Sequence, residues 1–200
     1  LEESECIVAN HDLVMADLAL GGGVILPPPE DCIYIFDEGH RLGDTAIRHF
    51  GAECKINSTL SWLERLPKQI KGQAPLFSKD TALTEQLPRI EREGGKIAEL
   101  LSSAYPLLQE HLDQSEHSEG RYRFSHGDVG ATIRDLAKQI TMHASGWQGR
   151  LEVLEETLSE ALSDKQYSVP IPDIELFYQQ AGNWLSGAER LVSLWDRLHK

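Results

Sequence analysis

Cys32-Ile33-Tyr34-Ile35-Phe36-Asp37-Glu38-Gly39-His40 is an apolar run, rich in β-branched and aromatic residues, that stops abruptly at two carboxylates, a glycine and a histidine. Its composition is that of a buried strand. Such a strand delivers acidic side chains to one edge of a nucleotide site. An aspartate there helps to hold the Mg²⁺ that bridges nucleotide phosphates. A neighbouring glutamate can orient or deprotonate the attacking water. The plainer account is a strand end followed by a helix N-terminus, where carboxylates are electrostatically favoured. The box alone does not separate the two accounts, but its surroundings do.

Upstream, Glu5 to Leu18 reads as a short buried strand and a turn into a helix. Val24 to Asp31 is a loop stiffened by Pro27-Pro28-Pro29. The quoted run is then a second strand. Together, IVANHDLVMADLAL…LPPPEDCIYIFDEGHRL resembles the DinG branch of the superfamily 2 DNA helicases, iron–sulfur relatives of XPD. That family carries an Asn-His segment, a proline-rich loop and a DEAH-type box in this order and at about this spacing. The resemblance is specific over the first quarter of the chain. The rest agrees only in character, as a long, mostly helical insertion after the box, where such helicases place their Arch domain. Gly39 stands where the commonest form of the box has alanine, one small residue for another.

The resemblance implies an ATP-dependent 5′-to-3′ DNA helicase acting in repair or replication. Asp37 would help to hold Mg²⁺ and Glu38 would polarise the hydrolytic water. His40 would couple the nucleotide site to motifs in a second motor domain; its alternative is a helix-start histidine bonded to backbone. The implied cofactors of the parent protein are ATP and Mg²⁺, with a 4Fe–4S cluster held by four cysteines upstream of the Asn-His segment. The implied partner is single-stranded or forked DNA, with no membrane, and the expected location is the bacterial cytoplasm.

The chain has 200 residues, enough for one core or for one domain and part of another. Hydrophobic residues make up 40% and charged residues 26%, an ordinary globular balance. No apolar run approaches the roughly 20 residues that span a membrane. The acidic start, Leu1-Glu2-Glu3-Ser4-Glu5, resembles no secretory signal, and the chain reads as a piece of a longer protein. A net charge of −13 argues against tight nucleic-acid binding by this piece alone, because backbone affinity comes from Lys and Arg. The three cysteines, Cys6, Cys32 and Cys54, form no disulfide framework. Cys6 and Cys32 read as small core residues. No cysteine quartet is present, so no cluster is expected in this chain.

The expected fold is mainly α. Residues 1–54 would be a partial α/β motor-domain segment, and residues 55–200 an antiparallel, Arch-like bundle of three or four long helices. A helix from Asp12 to Leu20 stops at Gly21-Gly22-Gly23, which lacks the Gly-Lys-Ser/Thr ending of a phosphate loop and reads as a flexible loop. Arg41 to Phe50 reads as a short helix. Asn57-Ser58-Thr59 is the expected cap of the next, and Ser78-Lys79-Asp80-Thr81 opens a third. Its stripe runs from Leu83 and Leu87 to Leu112 past Pro88, Gly94-Gly95 and Pro106. Asp128 is the expected start of a fourth helix and Asp173 the cap of a fifth. Trp62, Trp147, Trp184 and Trp195 fall on apolar faces and read as bundle core.

Asn10 and His11 are candidate nucleic-acid contacts by resemblance, and Asn10 is also a natural cap for the helix that follows. Arg121-Tyr122-Arg123-Phe124 combines bases and rings: aromatics stack nucleobases while arginines hold phosphates. A short strand with half-buried rings is its blander account. His111, His117 and His126 have spacings that suit no compact metal site. Lys68, Lys71 and Lys79 read as a solvated face. The alternative function is a non-enzymatic acidic helical module that docks a protein; a nuclease–helicase fusion is a further enzymatic rival. Without a Walker A lysine or a second motor domain, this chain is expected not to hydrolyse ATP alone, to bind DNA weakly or not at all, and to be monomeric. Strands deprived of sheet neighbours are expected to leave edges and apolar surface exposed.

Overall fold

A computed structural model describes residues 6–113, 122, 124–164 and 167–200. Among these residues there are six α-helices and no strand. The chain divides into two compact units, Leu1–Ala52 and Glu53–Lys200.

The second unit holds four helices: α3 (Ile56–Gln73), α4 (Thr81–Asp113), α5 (Ala131–Ser163) and α6 (Ile171–His199). The seam of α4 runs Leu83, Leu87, Ile90, Gly94, Ile97, Leu101, Ala104, all buried at alternating steps of four and three. Buried residues on α5 keep the same alternation from Ile133 to Ala161, and those on α6 from Ile174 to Trp195. A repeat averaging three and a half residues keeps one stripe facing its neighbours only if the helices supercoil gently. Cross-links give the direction. Trp147 Nε1 donates to the carbonyl of Ile90 at 3.1 Å, and His143 Nδ1 lies 3.0 Å from Glu93 Oε2, so α5 runs against α4. Trp184 Nε1 donates to Gln69 Oε1 at 3.3 Å, which ties α6 back to α3. The result is an up-down-up-down bundle.

Small seam residues make room for large ones. A Cβ at Gly187 would stand 2.6 Å from the Trp62 ring, and one at Gly94 would stand 2.6 Å from Leu66 and 3.7 Å from the Trp147 ring. Trp62 and Trp147 meet edge to face with centroids 5.5 Å apart. Trp147, Trp184 and Trp195 are buried, while Trp62 is half-buried at the margin.

Helix starts differ from the sequence expectation in three places. α3 begins at Ile56 with Lys55 at its cap, so Asn57-Ser58-Thr59 lies inside the first turn. Asp128 precedes α5: it accepts from Gly130 N at 3.0 Å and pairs with Arg134 at 2.9 Å. α6 starts at Ile171 with Pro170 at its cap, because proline's fixed φ suits an entry; Asp173 instead lies in the first turn, where the helix dipole favours it. Asp80 does cap α4, accepting from Leu83 N at 3.0 Å.

The first unit contains α1 (His11–Ala19), α2 (Leu42–Phe50) and two single 3₁₀ turns, Pro29–Asp31 and Gly39–Arg41. The expected strands are absent from its described residues. Residues 32–36 nevertheless keep a strand's alternation: Cys32, Tyr34 and Phe36 are half-buried, while Ile33 and Ile35 are 93% and 92% exposed. Around Val8, which is 95% exposed, Ile7 and Ala9 are half-buried in the same way. A strand is held by ladder bonds and cross-strand pairs. These runs have the pattern without the neighbours. For the same reason Cys6 is exposed and Cys32 only half-buried, neither being a core residue. The described residues buried in this unit are Val14, Met15, Asp17 and Thr45.

Candidate nucleotide-site segment

The acidic box lies where the alternating run ends. Phe36 places its ring edge-on to His11 at 5.7 Å, and Tyr34 stacks on Phe36 at 6.0 Å. The half-buried face of the run thereby rests on the N-terminal turn of α1. Asn10 Oδ1 accepts from Leu13 N at 2.8 Å, so Asn10 is the cap of α1. Asp12 on α1 reaches α2, with its Oδ1 3.1 Å from His49 Nε2 and 3.4 Å from Arg48 Nη2. The helix before the run and the helix after the box are thus tied together.

Asp37 and Glu38 follow Phe36 directly, both exposed. Asp37 Oδ1 accepts from Glu38 N at 2.9 Å. Glu38 has φ +49° and ψ +43°, a left-handed conformation that costs a non-glycine residue of order 1 kcal/mol and clusters at functional sites. The turn sends the chain into Gly39–Arg41 and α2. His40 Nδ1 stands 3.2 Å from Glu38 Oε2, so its partner is the adjacent carboxylate rather than backbone. Two neighbouring carboxylates are hard oxygen donors. They suit Mg²⁺, which binds through one or two carboxylates together with phosphate oxygens. The chain thus brings Asp37, Glu38 and His40 into one turn, next to the Asn10–His11 corner.

Sequence reading missed Asp17. It is fully buried in the last turn of α1. Its Oδ2 accepts from Gly23 N at 3.0 Å, and its Oδ1 from the amides of Val24, Ile25 and Leu26 at 3.0, 2.6 and 3.3 Å. The triple glycine, expected to be a flexible loop, is what aims those amides. Gly21, Gly22 and Gly23 all have positive φ, and a Cβ on Gly22 would stand 2.6 Å from the Pro29 ring. The hydrogen bond from Ile25, with those from Gly23, Leu26 and Val24, holds the Asp17 carboxyl below its usual range against the opposing effect of burial. A signal was available: a carboxylate in the last turn of a helix opposes the dipole and so needs strong donors nearby.

A second group lies in the helical unit. Tyr122 and Phe124 form no strand; they meet each other at 5.0 Å and meet His111, in the last turn of α4, at 5.1 and 5.2 Å. His111 is therefore an aromatic partner of these two rings. Arg121, Arg123 and His117 lie outside the described residues. His126, at φ +54°, belongs to a 3₁₀ turn before α5. Among the described residues no group of three or more His, Cys, Asp or Glu could hold a metal ion. No described helix is long and apolar enough to cross a membrane.

No protein-family model matches the chain. It is 31% identical over 199 residues to the ATP-dependent DNA helicase DinG of Photobacterium profundum, covering 98% of this chain and 27% of that protein. It is 27% identical over 201 residues to the protein of the same name from Salmonella choleraesuis, with the same coverage. Its identity to that from Escherichia coli is 26% over 165 residues, or 80% of this chain and 22% of that protein. The chain spans about a quarter of the length of these curated relatives. The similarity continues through the helical unit, well past the box that first suggested it. Over nearly its whole length the chain is therefore similar to one segment of the proteins named ATP-dependent DNA helicase DinG, which supports its reading as a DinG-type fragment.

Proposed function

We propose that this chain contributes the acidic box and an Arch-like helical insertion to a longer, ATP-hydrolysing DNA helicase. The observation that carries this reading is the Asp37–Glu38 turn: two exposed carboxylates at the end of a strand-patterned run, with Glu38 in a left-handed conformation. Asp37 is the Mg²⁺-side carboxylate, and bound Mg²⁺ supplies charge neutralisation at the phosphates. Glu38 accepts the proton of the attacking water or orients it. His40, paired with Glu38 at 3.2 Å, links that carboxylate to whatever faces the turn from a second motor domain.

The remaining parts of the reading follow from kinship with the named helicases. The longer protein moves 5′ to 3′ on single-stranded or forked DNA in repair or replication, in the bacterial cytoplasm, with an iron–sulfur cluster upstream of this segment. Asn10, His11 and the Arg121–Arg123 stretch with Tyr122 are its candidate DNA contacts. Ten Asp and Glu against two Arg in the first 52 residues leave that unit with little attraction for phosphates, so the segment alone does not bind DNA tightly. Without a Gly-Lys-Ser/Thr phosphate loop it does not hydrolyse ATP alone either.

The test is ATP hydrolysis by the longer protein, with and without single-stranded DNA, comparing wild type with Glu38→Gln. The expected result is DNA-stimulated turnover that falls by a hundredfold or more, about 3 kcal/mol of barrier. Turnover unchanged by Glu38→Gln rejects the box assignment. A folded wild type with no turnover favours an acidic protein-docking module.

A further inference from the structure

We infer that Asp17 is a positioning residue for the Asp37–Glu38 turn, setting where the box stands relative to α1. This rests on the reading of that turn as the nucleotide-site edge.

Between α1 and the box the chain makes an excursion through the triple glycine, the proline run and one 3₁₀ turn. Excursions of this kind are usually mobile. Here both ends are fastened to the same helix. At the C-terminal end of α1, one buried carboxylate collects four successive backbone amides, 23 to 26. At the N-terminal end, Phe36 returns against His11 at 5.7 Å. Little freedom remains between the two points. Pro27, Pro28 and Pro29 have fixed φ, and Asp31 N closes the turn onto the Pro28 carbonyl at 3.0 Å. The Cys32 thiol lies 3.9 Å from the Pro27 carbonyl. The box begins one residue after Phe36, so releasing the Asp17 end frees the whole path that brings it to α1.

The hydrogen bonds that Asp17 accepts come from amides 23–26 and not from the Asp37–Glu38 turn. Its chemistry explains why the residue must be aspartate. Four amides converging on one carboxylate need an acceptor with several lone pairs and full charge. Asparagine keeps the shape but turns an N–H₂ donor toward amide donors. Glutamate is longer by one methylene in a fully buried seat.

The experiment uses the longer protein and measures DNA-stimulated ATP hydrolysis against Mg²⁺ concentration for wild type, Asp17→Asn, Gly22→Ala and Glu38→Gln, with thermal unfolding of each. Gly22→Ala attacks the same loop from the opposite side, because its Cβ would meet the Pro29 ring. The expected result for both loop variants is a five- to tenfold rise in the Mg²⁺ needed for half-maximal rate and a tenfold fall in kcat, with the bundle's unfolding unchanged. Partial recovery at high Mg²⁺ is also expected, which a merely unfolded fraction would not show. If Asp17→Asn fails to fold, Gly22→Ala carries the test. Mg²⁺ dependence and kcat within twofold of wild type in the loop variants, with Glu38→Gln inactive, overturn the inference alone. A fully active Glu38→Gln protein overturns the nucleotide-site reading and the inference with it.

Discussion

Ile33 and Ile35 are more than nine-tenths exposed, whereas Ile90, Ile97 and Ile140 are completely buried. The residue type is the same and both settings follow a regular apolar pattern. What differs is whether the partner surface lies in the chain. In the helical unit each seam meets another seam, and large side chains such as Trp62 and Leu66 face glycines. In the N-terminal unit the alternation is that of a sheet strand, and the described residues supply no neighbouring strand. Charge separates the units as well: the first 52 residues hold ten carboxylates and two arginines, while the rest holds twenty-two and seventeen Lys and Arg. One unit is a bundle with its own core, and the other is held in shape by a buried carboxylate and a few ring contacts.

The sharpest way to break this contrast is to strike the bundle's centre. Trp147→Ala removes a fully buried ring and its bond to the Ile90 carbonyl. It should cost about 3–5 kcal/mol in chemical unfolding followed by helical circular dichroism. A loss below about 1 kcal/mol would mean that the core is not close-packed there.

Next in size is a pair of glycine substitutions with opposite signs. Gly187→Ala drives a methyl into the Trp62 ring and should destabilise by about 1–3 kcal/mol. Gly146→Ala, with nothing within 4 Å of its Cβ, should gain up to about 1 kcal/mol from helix propensity. Equal effects at the two sites would remove the small-against-large account of the seam.

Titration distinguishes the units by direction. The Tyr167 hydroxyl donates to Asp80 Oδ2 at 2.7 Å, and burial, with that carboxylate, pushes the phenol well above its ordinary range. A raised folded pKa means that its contribution is complete below the unfolded value near pH ~10 and is lost as pH rises further. Wild type and Tyr167→Phe should therefore converge in stability above that pH. Asp17 has the opposite sign. Its lowered folded pKa gives a contribution present above pH ~4 and lost as pH falls through the folded value. Amides 23–26 should lose protection in acid while the bundle keeps its own. Loss of both together at acid pH would join the two units into one cooperative block.

The smallest expected effect is Ile33→Ser with Ile35→Ser. In this chain alone the double change should alter stability by less than about 0.5 kcal/mol, as for exposed positions. In the longer protein it should disrupt folding of the N-terminal unit. A large effect in the isolated chain would show that these side chains already have a packing partner.

The α4 seam was legible because period three and a half persists over about three heptads, from Leu83 to Ala104, and survives the interruption at Gly94. Gly94, Ala137, Ala144, Ala181 and Ala188 were not read as core, since small residues carry little hydropathy and act by admitting a neighbour's ring. The acidic box was legible from the contrast between Phe36 and Asp37. The exposed apolar face of the run was expected from its missing sheet neighbours, but the absence of a strand there was not, because the pattern reports which face is apolar and not whether ladder bonds form. Asp17 was overlooked for a related reason: its partners are backbone amides, whose convergence depends on three left-handed glycines and not on side-chain identity. Tyr122 was visible within a basic-aromatic stretch, but its contact with His111 depends on where α4 ends.

The most direct measurement is amide hydrogen exchange on residues 32–36, in this chain alone and in the longer protein, with α4 and α5 as internal reference. The account predicts that 32–36 exchange freely in the isolated chain and become protected in the longer protein, while α4 and α5 are protected in both. Protection of 32–36 already present in the isolated chain, or absent in both, would contradict it.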